Sequence, residues 1–206
     1  MRRIVAVVLT FVMMVSFAGC SVQKPETVVD DYCKALKTFD LEKAVSCLKS
    51  ETEAVEGLDE FKQGIEEKGE KYYPILQYFK DNNAKMTYTV GEIQQDGEDK
   101  ATVNVTFNHV DAENVITSVV SDYVMQALVM AIGGADENKL EDLLISVFKE
   151  KIKIVEPGTS VTDIKFNCEK VDEQWKISNF SEEDGEKMLN VITLNMTKAL
   201  KMNFKD

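Results

Sequence analysis

Thr102-Val103-Asn104-Val105-Thr106-Phe107 alternates polar and apolar side chains without a break. A period of two puts Val103, Val105 and Phe107 on one face of a strand and the threonines and Asn104 on the other, so one face is buried and one is wet. Upstream, Met86, Tyr88 and Val90 alternate in the same way with Thr87 and Thr89, and Asp96-Gly97 lies between the two runs. The pair predicts a β-hairpin turning near residues 95–100. An antiparallel sheet with one apolar face needs a cover, and the flanking sequence supplies helices.

On the N-terminal side Pro25 opens a helix, its missing N–H costing nothing at the first helical position. Val28, Val29, Tyr32, Ala35, Leu36 and Phe39 give that helix an apolar stripe. Asp40 reads as the N-cap of a second short helix over residues 41–49, so the two form a hairpin. Leu58, Phe61, Ile65, Tyr72, Leu76 and Phe79 predict a longer helix over 58–82, which Pro74 must kink or divide. On the C-terminal side a helix is expected over 112–132, stopped by Gly133-Gly134, then a second over 137–151. Pro157-Gly158 marks a turn, residues 153–156 have the composition of a short strand, and strands follow over 161–171 and 174–180, joined at Asp172-Glu173. Ser181, with Asp184 three residues on, caps one last helix carrying Met188, Leu189, Ile192, Met196, Ala199 and Leu200. The expected fold class is α+β: N-terminal helices on a curved antiparallel sheet, a helical pair inserted near 112–151, and a C-terminal helix.

The first nineteen residues are set aside from this fold as an export signal. Arg2 and Arg3 precede an apolar run over residues 4–18 that is shorter than the roughly 20 residues a spanning helix needs. Its end, Phe17-Ala18-Gly19-Cys20, resembles the bacterial lipoprotein signal, with Phe17 standing where Leu is usual. The resemblance implies cleavage before Cys20, diacylglycerol on its sulfur and a further acyl chain such as palmitate, enough for stable anchoring. The alternatives are an ordinary signal-peptidase cut, or a buried cysteine in a chain that is never exported. Residues 20–24 are then the lipidated Cys and a short tether, residues 25–206 a single domain, and the location the outer face of the bacterial cytoplasmic membrane, or an outer membrane where there is one. After the leader, the longest uncharged apolar stretch, residues 123–135, is too short to cross a bilayer.

The chain carries a net charge of −12, and losing Arg2 and Arg3 with the leader leaves 22 basic against 36 acidic residues, or −14. Phosphate backbones would repel such a body, so nucleic acid is not an expected partner.

The order of helix hairpin, long helix, strands and Trp-bearing closing strand resembles the nuclear-transport-factor-two-like superfamily, and more closely bacterial lipoproteins that carry such a domain after the lipid Cys. The resemblance is carried by Pro25-Glu26, Val28-Val29, Tyr32, Ala35-Leu36, Asp40 and Glu42-Lys43-Ala44, and by Trp175-Lys176-Ile177. It implies a cone-shaped α+β domain whose mouth can hold a ligand, with Asp or His in the cone where members are enzymes.

His109, the chain's one histidine, shares the parity of Val103, Val105 and Phe107, and Asp111 follows two residues on. They are the weak candidates for acid/base work; the bland reading of His109 is a strand-end side chain. Tyr72, Tyr73, Tyr88 and His109 are the candidate pocket residues, core packing being the competing use of the tyrosines. Cys33 and Cys47 sit seven residues either side of Asp40, at one level of the hairpin, where either a disulfide or two buried thiols fits. No metal-ligand spacing, phosphate loop or nucleophile elbow is present, and neither metal nor cofactor is expected. The chain therefore reads as a lipid-anchored binding or interaction module without catalysis, taking a small ligand or an envelope protein as partner. The alternatives are a small-molecule enzyme using the cone, or a structural subunit of an envelope assembly.

Overall fold

The computed structural model describes residues 23–49 and 69–203, with side chains to residue 200. The leader, Cys20, and the Leu58, Phe61 and Ile65 part of the expected long helix lie outside the described residues.

Helix α1 (Pro25–Thr38) ends at Phe39, whose φ of 57° turns the chain, and Asp40 Oδ1 accepts from Lys43 N at 3.0 Å to cap α2 (Leu41–Ser46). A 3₁₀ turn (Gly69–Tyr72) leads into α3 (Tyr73–Asn83), which Pro74 starts. Pro74 thus sits in the first turn of a helix, where its missing donor costs nothing, and the described part of the expected long helix is a 3₁₀ turn followed by α3. Strands β1 (Thr87–Asp96) and β2 (Lys100–Asp111) follow, then α4 (Glu113–Ile132), α5 (Glu137–Ile154), β3 (Gly158–Val171), β4 (Gln174–Ile177), α6 (Glu182–Ile192) and α7 (Met196–Asn203).

The sheet runs β1-β2-β3-β4, each pair antiparallel, so the fold class is α+β. β2 alternates as its sequence requires: Val103, Val105 and Phe107 are buried, while Asn104, Thr106 and Asn108 face outward. With Ile164, Phe166 and Cys168 of β3 they pack against Val29, Tyr32 and Leu36 of α1 and Val191 of α6. The inner face of the sheet is thereby filled by side chains along its middle, rather than left as the open cone that the family resemblance implied. The register of β1 on β2 shifts between Val90 and Ile93, a β-bulge beyond which β1 is exposed throughout.

Three expectations are corrected. Residues 153–156 do not form a strand: α5 continues to Ile154, and Ile152 and Val155 pack with Val115 and Leu194. The last helix is two, broken at Leu194 and Asn195, both with positive φ (56° and 62°). The third concerns membrane-spanning length, because α4 is 20 residues with a mean hydropathy of 1.7, long and apolar enough to cross a bilayer by length and composition. Glu113 and Asp122 interrupt the uncharged run in the sequence without breaking the helix.

The β3–β4 turn falls on Asp172-Glu173 as expected, with φ of 49° and 65°, the two left-handed positions of a tight hairpin. Ser181 caps the start of α6: its Oγ accepts from Asp184 N at 3.1 Å and donates to Asp184 Oδ2 at 2.7 Å, a side-chain bond where a full capping box would use the Ser181 amide.

Candidate functional site

Where the α1–α2 corner meets α3 and the end of α6, the chain leaves an apolar groove of about 310 Å³. Phe39 and Leu41 form one wall, Tyr72, Leu76 and Phe79 another, and Ile192 a third. Phe39 is held there by its left-handed turn, with Lys80 Nζ 5.8 Å from its ring centroid. At one rim the Tyr72 hydroxyl donates to Glu141 Oε1 (2.5 Å) and Lys71 bonds Glu141 and Asp142 at 2.7 and 2.8 Å, tying the groove wall to α5. Thr193, the other polar residue on the lining, donates its hydroxyl to Leu189 O at 2.6 Å. Lined by apolar carbon with both hydroxyls engaged, the groove can hold an apolar group, and among the described residues its lining offers no free proton donor or base.

The four tyrosine and histidine candidates do not share a pocket. Only Tyr72 lines the groove. Tyr73, its neighbour on the helix, points outward and is 60% exposed. Tyr88 belongs to the sheet's inner face, its ring 6.1 Å from that of Phe107 and its hydroxyl donating to Asp30 Oδ1 at 2.7 Å. That bond adds to the effect of Lys34 in holding the Asp30 carboxyl below its usual range. Tyr72 ends the 3₁₀ turn and Tyr73 begins α3, and a helical step turns adjacent residues by about 100–120°, so the two point apart.

His109 is buried, 2% exposed, with both ring nitrogens engaged: Nδ1 lies 3.0 Å from Val110 O and Nε2 3.0 Å from Thr162 Oγ1. A carbonyl can only accept, so Nδ1 carries the proton and Nε2 accepts from the threonine hydroxyl. Burial lowers the pKa of the imidazole, more than the Val110 carbonyl and the Asp111 charge raise it. Asp111 is engaged too, its Oδ2 accepting from Ser160 Oγ and Asn195 Nδ2, each at 2.6 Å, and its Oδ1 from Glu113 N at 3.0 Å. The pair expected to offer acid/base chemistry is built into the frame. Beside it, Asp111, Asn114, Ser118 and Thr159 border a shallow polar crevice of about 690 Å³, open to solvent.

Because the folded pKa of His109 lies below its unfolded value, the unfolded chain binds the extra proton. Its contribution is complete above about pH 6.5 and is lost as pH falls towards the lower folded value. Thermal melts at pH 7.5 and 5.5 are expected to show a lower midpoint at pH 5.5, with a smaller difference in His109→Gln. An unchanged difference in the variant would place the acid sensitivity elsewhere.

Cys33, Cys47 and Cys168 are free and buried. Cys47 Sγ donates to Lys43 O at 3.3 Å rather than bridging to Cys33. Burial raises the pKa of all three thiols, that of Cys168 to about 12, which keeps them protonated and poor nucleophiles. Among the described residues no three His, Cys, Asp or Glu side chains converge on a point that could hold a metal ion.

The groove was not legible in the sequence. Phe39, Leu76 and Ile192 are brought together by topology across some 150 residues, and each taken alone has the pattern of a core position. Tyr72, the one pocket candidate that does line it, was the nearest to a signal.

No protein-family model and no curated protein sequence matches the chain. Among solved structures, a lipoprotein candidate (ycdA) from Bacillus subtilis subsp. subtilis str. 168 is similar at 16% identity and a TM-score of 0.37. The similarity covers 55% of this chain and 33% of that chain, so this chain corresponds to about a third of that protein's length. Agreement at that level does not establish a shared fold.

Proposed function

We propose that the chain is a lipid-anchored, extracytoplasmic binding protein that holds a small apolar ligand, or an apolar segment of a partner, in the groove between the α1–α2 corner, α3 and α6. The observation that carries the binding is the groove itself, whose lining is apolar throughout and whose two hydroxyls are already bonded. The anchor rests on Ala18-Gly19-Cys20 at the end of an apolar leader. With Ser21 to Lys24 as the tether, at most about 14 Å of chain separates the lipid from Pro25. The bound molecule is therefore met near a membrane surface. No catalytic step is assigned, because His109 and Asp111 are committed to structural bonds.

Two measurements test the two halves separately. Expressed with its leader, the chain is expected to fractionate with membranes and to carry an acyl mass on Cys20, which Cys20→Ser abolishes; a wild-type chain without acyl mass refutes the anchor. For the groove, N-phenyl-1-naphthylamine is expected to saturate one site on the leaderless chain, and Leu76→Trp, which fills the groove, to weaken binding about tenfold or more. Equal binding by the variant would remove the groove from the proposal.

A further inference from the structure

Helix α4 is apolar on two sides, and only one of them is covered. Ile116 and Val119 pack with Val147 and Phe148 of α5 and Ala199 of α7. On the opposite side Val124, Met125, Leu128, Val129 and Ile132 are exposed, the last two by 71% and 83%. At 3.6 residues per turn these five fall within an arc of about 140° and extend about 12 Å along the axis. A helix apolar all round is ordinarily enclosed by protein or by lipid.

The same arc changes character along its length. Its first half presents Asn114, Thr117, Ser118 and Ser121, which line the open crevice; its second half presents only apolar side chains. From residue 123 to residue 135 the chain has no charge at all. A helix wet at one end and greasy at the other along a single face fits a boundary between water and an apolar phase.

We infer that the face of α4 from Val124 to Ile132 lies in a lipid surface, resting along it rather than crossing it. Crossing is excluded by α5, which packs antiparallel on α4 and carries Glu137, Lys139, Glu141 and Asp142 beside the same stretch. Charge argues against a second copy as the occupant. The apolar face is bounded by Asp122 at one end and Asp136 and Glu137 at the other. Asp122 is paired with Lys151, but parallel pairing of two such faces still sets Asp136 and Glu137 against their copies, in a chain already at −12. A zwitterionic lipid surface imposes no such cost. The lipid is also the nearest apolar phase, since residues 1–22 end at Gln23 and Cys20 is three residues away; in this the inference rests on the anchor proposed above. Gln23 lies beside Trp175 and Lys176, whereas α4 departs from the end of β2 that pairs with Gly158, the far end of the sheet.

The test uses the leaderless chain with Cys20→Ser, so that no acyl group contributes, and phosphatidylcholine vesicles in a flotation gradient. The chain is expected to float with the vesicles at low and high salt alike. Leu128→Glu with Val129→Glu, both exposed and so without a folding role, is expected to lower the vesicle-bound fraction about tenfold or more; Ile132→Glu alone gives a second, milder variant. A chain that stays at the bottom of the gradient overturns the inference. So does a dimer that the same variants dissociate while flotation is absent. Since acylation is measured separately on the full chain, failure of the anchor and failure of the α4 contact give different results.

Discussion

Phe166→Ala is expected to destabilise the fold by about 3–5 kcal/mol, the range for emptying a large buried aromatic position. Phe166 is fully buried at the middle of β3, opposite Val103, and its ring meets those of Tyr32, Phe107 and Phe180 with centroids 5.8, 6.3 and 5.3 Å away. These contacts join α1, both central strands and the segment leading to α6, so the cavity would open where every layer meets. Edge-to-face pairs add to the transfer term. Urea unfolding would show the midpoint displaced by about 1.5–2.5 M for a slope near 2 kcal/mol/M. Lys165→Ala, one residue away on the outer face, serves as the contrast and is expected to stay within about 0.5 kcal/mol. Comparable losses in the two variants would mean that the burial pattern of β3 is wrong.

Asp111→Ala should cost about 2–3 kcal/mol, the scale for removing a charged acceptor from several donors. Its carboxylate binds Ser160 at the start of β3, Asn195 at the α6–α7 break and the first amide of α4, while the Ala112 amide donates to Leu194 O at 2.8 Å. Without it, Asn195 keeps a left-handed backbone with less to hold it. Burial opposes ionisation of Asp111, but the bonds from Ser160, Glu113 N and Asn195 outweigh it and hold the pKa below the ordinary carboxylate value. The sign follows: the contribution is complete above about pH 4 and fades as pH drops through the lower folded value. Urea midpoints between pH 6 and 3 should therefore fall less steeply in Asp111→Ala than in the wild type, and parallel curves would refute the assignment.

The sheet was readable because a period of two has one meaning when one face is buried, and β2 keeps that period from Ala101 to His109. Caps were readable as well, Asp40 and Ser181 each accepting the amide three residues on. The α6–α7 break was not, because Ile192, Met196 and Ala199 continue a helical spacing through it and no Gly or Pro interrupts them. What breaks the helix is tertiary, the bond from Asn195 to Asp111, more than eighty residues away. The strand expected at 153–156 failed for a related reason: β-branched residues fit either a strand or a helix, and here Ile154 ends α5 exposed while Val155, extended just beyond it, packs with Val115 and Leu194 instead of pairing in the sheet. Of the candidate site, His109 was correctly placed on the inner face, but nothing in its neighbours' identities shows that Val110 and Thr162 occupy both nitrogens.

The bulge between Val90 and Ile93 also bears on what many copies of this chain can do when crowded together. β1 is an edge strand, and a long regular edge offers its free amides and carbonyls to any extended segment that drifts past. Here the ladder is interrupted at Gly91-Glu92, and the exposed strand beyond carries Gln94, Gln95 and Asp96. The opposite edge, β4, is four residues long and is covered at Ile177 by a bridge from Leu48. With one edge bent and polar and the other short and partly capped, the sheet resists templated polymerisation, and crowded chains can lie side by side without joining strand to strand.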